Sequence, residues 1–176
     1  MDLQKLQYPI GKFDHSGEPI RSKVAEWIGD IANLPGELRL AISGLSEEQL
    51  DTPYRPQGWT VRQVVHHIAD SHLNSYLRCK WALTEERPTI KAYFEERWAE
   101  LPDYREVPLP MSLSFIELLH QRWVILLKSL TPEQLAREFL HPESGPVTLA
   151  RNTGVYAWHG KHHLAHITSL RARMGW

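Results

Sequence analysis

Four long stretches of the sequence carry apolar residues at steps of three and four positions, and this spacing constrains the fold most strongly. Such steps place apolar side chains on one face of an α-helix, so each stretch is predicted to be a helix. The predicted ranges are 22–45, 60–84, 111–130 and 148–174. No set of stretches shows the alternation typical of strands. The sequence therefore predicts an all-α fold, a four-helix bundle.

Proline, glycine and threonine mark the limits of these helices. Pro35 is expected to kink or split the first helix, and Thr60 is the expected N-cap of the second. Residues 1–20 are predicted to form an extended arm that lies over the body of the protein. Residues 85–110 contain four prolines and form a long connection, which is expected to cross over the bundle or cover a site. The length suits a single domain, 1–176.

Charge and cysteine content narrow the expected partners and location. The 176 residues carry a formal charge of −1, which argues against binding to nucleic acid or to an anionic membrane. Cys79 is the only cysteine, so an intramolecular disulfide is excluded. The N-terminal residues lack the apolar core of a secretory signal, and no apolar run is long enough to span a bilayer. We therefore expect a cytoplasmic protein that acts on a small molecule.

The last predicted helix is rich in histidine. The segment WHGKHHLAHI, residues 158–167, holds four of the ten histidines of the chain. His159 and His163 are four positions apart, which brings their Cβ atoms within about 5–6 Å on one helix face. The pair could hold one metal ion between its imidazoles. An ordinary helix with solvated or hydrogen-bonded histidines fits the same spacing, so the pair alone leaves both interpretations open.

The second predicted helix favours the metal interpretation, because it carries a polar face beside its apolar one. A polar face inside a bundle is costly unless it meets partners or a cavity. His67 lies at the centre of this face, whereas His66 points about 100° away. We assign His66 and His72 to packing or to the surface. The polar face consists of Gln63, His67, Asp70, Ser71, Asn74 and Arg78.

Two longer segments resemble a known family. They are GWTVRQVVHHIADSHLNSY and VYAWHGKHHLAHITSLRARMGW, with DTPYR before them and HQRW between them. They are similar to the DinB-like superfamily, and within it to the YfiT-type metal-dependent hydrolases. The resemblance runs from YPIGKF, residues 8–13, to the final MGW. It implies a four-helix bundle, a cytoplasmic homodimer, and one divalent metal per subunit bound by His67, His159 and His163.

Three imidazole ligands leave a divalent ion with at least one open position, as in catalytic sites. Such an ion can lower the pKa of a bound water, so hydrolysis is the first hypothesis. It would also lower the pKa of a bound thiol. The resemblance includes thiol-dependent enzymes, so a bacillithiol-type S-transferase is the second hypothesis, and a non-enzymatic metal-bound dimeric module is the third. Zinc is the expected metal and nickel the alternative.

The remaining candidate residues surround the expected metal. Asp70 and His166 are candidates for the general base or for hydrogen-bonding neighbours of the ligands. Arg78 is expected to clamp a substrate carboxylate, with Gln63 and Asn74 beside it in the substrate pocket. The segment FEERWAE, residues 94–100, is interpreted as a solvated turn. Packing roles are predicted for Trp59, Trp123, Trp158 and the buried Cys79.

Overall fold

The computed structural model describes residues 3–17 and 19–176. The four predicted long helices are confirmed as α2 (Arg21–Ile42), α4 (Val61–Thr84), α7 (Leu109–Ser129) and α9 (Leu149–Met174). Within the described residues, five short helices lie between or before them: α1 (Leu3–Gln7), α3 (Glu47–Leu50), α5 (Glu95–Trp98), α6 (Asp103–Glu106) and α8 (Pro132–Leu135). Two strands, β1 (Glu138–His141) and β2 (Gly145–Thr148), precede α9.

Local capping fixes where the two histidine-bearing helices begin. The Thr60 hydroxyl accepts the backbone N–H of Gln63, and the Gln63 side chain accepts the backbone N–H of Thr60. This capping box satisfies two otherwise unpaired donors at the start of α4. Thr148 caps α9 by accepting the backbone N–H of Arg151 at 3.1 Å. The predicted N-cap at Thr60 is therefore confirmed.

The order of the helices around the bundle differs from their order along the chain. α2 packs against α7 and α9, and α4 packs against the same two helices. α2 and α4 therefore lie on one diagonal of the bundle, and α7 and α9 on the other. Residues 43–60 and 130–148 make the diagonal crossings. Residues 85–108, the segment expected to cross over, join the adjacent helices α4 and α7.

Pro35 lies inside α2, and the helix continues through it rather than splitting. A proline has no N–H to donate to the carbonyl four residues earlier, which here belongs to Ile31. That carbonyl receives a hydrogen bond from the Nδ1 of His120 on α7, with a distance of 2.6 Å. A side chain from a neighbouring helix thus supplies the donor that the backbone lacks.

The N-terminal arm differs in part from its prediction, because residues 3–7 form α1. It lies over α9 as expected. The indole Nε1 of Trp158 donates to the carbonyl of Gly11 at 3.2 Å, and Arg151 donates to the carbonyl of His15 at 2.9 Å. These contacts hold the arm beside the helix that carries the WHGKHHLAHI segment.

The segment before α9 forms a β-hairpin, although the sequence showed no strand pattern. β1 pairs antiparallel with β2, with Phe139 opposite Val147. Leu140 also exchanges backbone hydrogen bonds with the long connection, accepting from Ile90 at 3.0 Å and donating to Pro88 at 2.9 Å. The hairpin therefore anchors the beginning of residues 85–108. Its strands were missed because each has only four residues and β2 contains a proline, which argues against a strand.

Two apolar clusters fill the bundle. One includes Trp27, Trp123 and Phe139, and the other includes Leu38 and Ile116. Among the described residues, no helix is both long enough and apolar enough to cross a membrane.

Candidate metal centre

The structure brings the three predicted ligands together between α4 and α9. Ring nitrogens of His67, His159 and His163 all lie within 4.8 Å of one another. The Nε2 atoms of His67 and His159 are 3.1 Å apart. The ring centroids of His163 and His159 are 4.5 Å apart, and those of His163 and His67 are 4.7 Å apart. Because α4 and α9 are adjacent in the bundle, one residue of α4 meets an i, i+4 pair of α9.

Burial keeps these imidazoles in the form that binds metal. Removal from water, together with the charges that His162 and His166 would carry, lowers the pKa of His67 to about 3. Burial also holds the pKa values of His159 and His163 well below their usual range. A neutral imidazole offers a lone pair to a cation, whereas a protonated one does not. The donor set therefore fits a divalent cation at neutral pH.

His166 was expected to be a general base or a hydrogen-bonding neighbour of the ligands, and it contacts one of them, His163. Its Nε2 lies 3.1 Å from the carbonyl of Gln7 at the end of α1, to which it donates. Its Nδ1 lies 3.4 Å from the Nδ1 of His163. The ring also stacks on Tyr54, with centroids 3.9 Å apart. Since both nitrogens are engaged and the residue does not line the cavity described below, its position does not suit a general base acting on substrate.

Asp70 binds a residue outside the ligand cluster and does not line the cavity described below. Its Oδ2 accepts the hydroxyl of Tyr104 at 2.7 Å, and burial raises the pKa of its carboxyl group. The Nδ1 of His67, which Asp70 was expected to accept from, has no hydrogen-bond partner among the described residues. Asp70 was placed near the metal because it follows His67 by three positions, but its side chain is directed to α6.

A cavity of about 610 Å³ opens beside the three histidines, and all three line it. Ligand-binding cavities typically enclose about 300–1,000 Å³. Arg78 also lines this cavity, although it is only 7% exposed. Its guanidinium donates to the hydroxyl of Tyr156 at 3.3 Å. The ligand cluster is therefore accessible to a small molecule, with a buried cation nearby.

Two other predicted pocket residues point elsewhere. The side chain of Gln63 completes the cap of α4 and donates to the carbonyl of Ala99 at 3.0 Å. It lines a separate cavity of about 930 Å³ that contains none of the three ligands. Asn74 donates to the backbone carbonyl of Asp70 at 2.9 Å. Both side chains bind backbone groups, and neither lines the cavity beside the three histidines, where the substrate pocket was expected.

Several cavity residues were missed by the sequence analysis. Trp59 and Trp158, predicted to pack the bundle, line the cavity instead. The Trp59 ring lies 4.6 Å from that of His67, and Trp158 stacks on His162 at 4.6 Å. The segment 94–100 is not simply a solvated turn, because its first residues form part of the wall. The cavity-lining residues of the long connection are Ala92, Tyr93, Phe94, Glu95 and Glu96.

The other aromatic and cysteine predictions are confirmed. Trp123 and Cys79 are fully buried, and burial raises the pKa of the Cys79 thiol to about 12.

His66 is buried and lies 2.8 Å from the hydroxyl of Ser112 through its Nδ1, outside the ligand cluster. His72, which was assigned to packing or to the surface, is fully buried and contacts His159.

Comparison with known proteins decides the family. The sequence pattern of the DinB superfamily matches residues 31–167. The chain belongs to the DinB superfamily. Two relatives named "Putative metal-dependent hydrolase" are similar over nearly their whole length. The one from Bacillus mycoides is 56% identical, covering 99% of this chain and 100% of the relative. The one from Oceanobacillus iheyensis is 55% identical, covering 97% and 98%.

Two solved four-helix bundles are similar to this chain. YfiT from Bacillus subtilis, described as "a probable metal-dependent hydrolase with an unusual four-helix bundle topology", matches with a TM-score of 0.95 at 46% identity. The match covers 98% of this chain and 99% of YfiT. The four-helix bundle protein TT2238 matches with a TM-score of 0.56 at 18% identity, covering 85% of this chain and 98% of its own, and shows the fold alone.

Proposed function

We propose that this DinB-superfamily protein is a metal-dependent hydrolase that acts on a small anionic substrate. The observation that carries the proposal is that three neutral histidines, His67 and His163 buried and His159 partly buried, converge and all line an open cavity. A purely structural metal site is closed by protein ligands, whereas a catalytic one keeps access for water or substrate. The names of the relatives and of YfiT support the same reaction class.

His67, His159 and His163 would hold the divalent ion. When bound, such an ion supplies Lewis acidity and lowers the pKa of water, which makes a nucleophile accessible at neutral pH. Zinc is the proposed metal, because it accepts three imidazoles and an open position; nickel is the alternative. The surrounding burial favours neutral imidazoles, so no proton has to leave the ligands before the ion binds near pH 7.

Arg78 would orient the substrate. Among the ion pairs of the described residues, none includes this guanidinium. A buried cation without an anionic partner is costly. A carboxylate or phosphate on the substrate would supply that partner and bind in a bidentate fashion. We therefore propose that the substrate carries an anionic group next to the bond that is hydrolysed.

The long connection would supply proton transfer. Glu95 and Tyr93 line the cavity with the ligands. Glu95 offers a carboxylate that can accept a proton from water, and burial raises the pKa of Tyr93 so that its hydroxyl remains a donor at neutral pH. We propose Glu95 as the general base and Tyr93 as a hydrogen-bond donor to the leaving group. The indole rings of Trp59 and Trp158 would exclude water around the apolar part of the substrate.

Thiol S-transfer is the second candidate, and Arg78 is the observation that favours it. The same guanidinium fits the carboxylate of a low-molecular-weight thiol. The only cysteine of the chain is fully buried and does not line the cavity, so the thiol would come from a cosubstrate. A homodimer and a cytoplasmic location, which the resemblance implied, stay predictions.

Two assays separate these functions. The zinc-loaded protein is incubated with matched esters and amides that do or do not carry a carboxylate. In parallel it is incubated with an electrophile plus bacillithiol, glutathione or cysteine. Hydrolysis without added thiol, faster for the anionic substrates, supports the proposal. Turnover only with a thiol supports S-transfer, and turnover in neither assay supports a non-enzymatic module.

Two sets of variants test the site itself. The combined substitution His67→Ala, His159→Ala and His163→Ala is expected to abolish zinc binding. His66→Ala, next to His67 on α4, is the control and is expected to retain it. Arg78→Met is expected to raise KM for carboxylate-bearing substrates by about 10- to 100-fold, since a charge-assisted hydrogen bond contributes about 1.5–3 kcal/mol. KM for the neutral analogues should change little. An equal effect on both substrate types would contradict the role of Arg78.

A further inference from the structure

Three histidines, His120, His72 and His159, form a hydrogen-bonded chain across the bundle, and the last of them is a proposed metal ligand. The Nδ1 of His120 on α7 lies 2.6 Å from the carbonyl oxygen of Ile31 on α2. The Nε2 of His120 lies 2.9 Å from the Nδ1 of His72 on α4. The Nε2 of His72 lies 3.2 Å from the Nδ1 of His159 on α9. Each of the four long helices thus contributes one group.

The carbonyl at the start of this chain fixes the direction of every hydrogen bond in it. A carbonyl only accepts, so the Nδ1 of His120 must carry a proton. A neutral imidazole has one N–H, so the Nε2 of His120 is an acceptor, and the Nδ1 of His72 donates to it. By the same step, the Nε2 of His72 accepts from the Nδ1 of His159. The Nε2 of His159 is then left without a proton.

That unprotonated nitrogen is the one that lies in the ligand cluster. The Nε2 of His159 is 3.1 Å from the Nε2 of His67, and both residues line the cavity. Metal ligation requires a nitrogen with a free lone pair, and a histidine ligand is oriented by the hydrogen bond that its other nitrogen donates. These hydrogen bonds therefore leave the Nε2 of His159 with a free lone pair before any metal binds.

Pro35 explains why the carbonyl is available. In an uninterrupted helix the N–H of residue 35 would donate to the carbonyl of residue 31, but proline has no N–H. The carbonyl of Ile31 accepts from His120 instead, in a part of the bundle where Ile31 and His120 are each 1% exposed. A proline inside a long helix would otherwise only destabilise it.

We propose that His120 and His72 are positioning residues which, anchored on the carbonyl that Pro35 leaves free, set the tautomer and orientation of His159 for metal binding. The inference rests on the proposed metal site and adds to it two residues that do not touch the metal. The role of His120 and His72 is the same whether the metal activates water or a thiol, since they act on the ligand His159 and not on the reacting molecule.

Two variants of His120 separate positioning from mere packing. His120→Gln keeps an amide N–H that can donate to Ile31 and an oxygen that can accept from His72. His120→Leu keeps similar bulk and removes both functions. His66→Leu is the matched control, because His66 is a buried histidine of the bundle whose ring bonds to Ser112 rather than to His72, His120 or His159. Folding of each variant is checked by thermal unfolding and circular dichroism.

The first measurement is the zinc dissociation constant, obtained by competition with a chelator. His120→Leu is expected to weaken zinc binding by about 10- to 100-fold, the usual effect of losing a group that orients a ligand. His120→Gln and His66→Leu are expected to stay within about threefold of wild type. Zinc binding by His120→Leu that equals wild type would overturn the inference. Failure of wild type to bind zinc would instead overturn the proposed function.

The second measurement needs no metal, and its main test uses the wild-type protein. Long-range proton–nitrogen NMR spectra of the metal-free wild type, labelled with ¹⁵N in histidine, show which ring nitrogen carries the proton. The hydrogen-bond directions given above predict that Nδ1 carries the proton in His120, His72 and His159. An Nε2 proton on either His120 or His72 would overturn the inference. This test on the wild type remains available if His120→Leu does not fold. In a folded His120→Leu variant, the Nε2-protonated form of His159 is expected to increase.

Discussion

Gly154 lets α9 lie directly against the indole ring of Trp27 on α2. A Cβ atom at position 154 would be 2.7 Å from Cη2 and Cζ3 of this ring and 2.9 Å from Cε3. Carbon atoms in ordinary contact are about 3.5–4.0 Å apart, so an alanine would overlap the ring by about 1 Å. Trp27 is only 6% exposed, and its ring packs against those of Phe13 and His15. These contacts confine the ring.

The expected cost of Gly154→Ala follows from two opposing effects. Overpacking a core costs about 1–3 kcal/mol, and a rigid ring puts this site near the upper end. Replacing glycine by alanine inside a helix returns about 0.5–1 kcal/mol. The net expectation is a loss of about 2 kcal/mol, which corresponds to roughly 4–8 °C in Tm for a chain of this size.

Urea and thermal unfolding of the metal-free protein measure this loss, and Gly36→Ala is the matched control. Gly36 lies inside α2, and a Cβ there would meet nothing within 4 Å. Gly36→Ala is therefore expected to gain about 0.5–1 kcal/mol. If Gly154→Ala were as stable as wild type while Gly36→Ala gained stability, the close packing of α9 on α2 would be refuted.

Three further predictions concern buried polar groups. In the metal-free protein, the folded-state pKa of His120 and of His166 is lowered to about 4 from 6.5. The unfolded chain therefore binds more protons between these values, and the free energy of unfolding should fall by up to about 1.4 kcal/mol per pH unit for each histidine as pH drops from about 6 to about 4.5. Urea titrations with no slope in this window would contradict the burial of these rings. Cys79 should resist iodoacetamide at pH 8 and react fully in denaturant, since its burial raises its pKa to about 12; rapid labelling of the folded protein would show that the thiol is accessible. Tyr104→Phe removes the hydroxyl that donates to Asp70 and should lower the free energy of unfolding by about 1–3 kcal/mol, so unchanged stability in chemical denaturation would argue against that bond.

The features that depend on local sequence could be predicted. The long helices follow from apolar spacing, and the start of α4 follows from Thr60 because a cap involves only neighbouring residues. The two ligand candidates on α9 follow from the four-residue step of His159 and His163. His67 required one further argument, the cost of a polar face inside a bundle.

The features that depend on contacts between helices could not be predicted in this way. Apolar spacing defines the inner face of each helix and does not say which helix packs next to it, so the diagonal arrangement of α2 and α4 was not foreseen. His72 and His120 are 48 positions apart, and only the tertiary structure brings their rings together. Residues 92–96 have no periodic pattern, so nothing in their sequence marks them as a cavity wall.

Pro35 shows the same limit for a single residue. The rule for proline in a helix counts the lost backbone hydrogen bond and predicts a kink or a break. It does not include a donor from another helix, such as the imidazole of His120, that replaces the lost bond. The sequence does not reveal this contact between His120 and the carbonyl of Ile31. For that reason a split of the helix was expected and the role of His120 was missed.

A crystal structure of the zinc-loaded protein tests the central claim most directly. We expect one zinc ion per chain, bound by nitrogens of His67, His159 and His163, with at least one further position open to water or to a small molecule from the cavity. Zinc bound through other residues, or enclosed by four protein ligands, would contradict it.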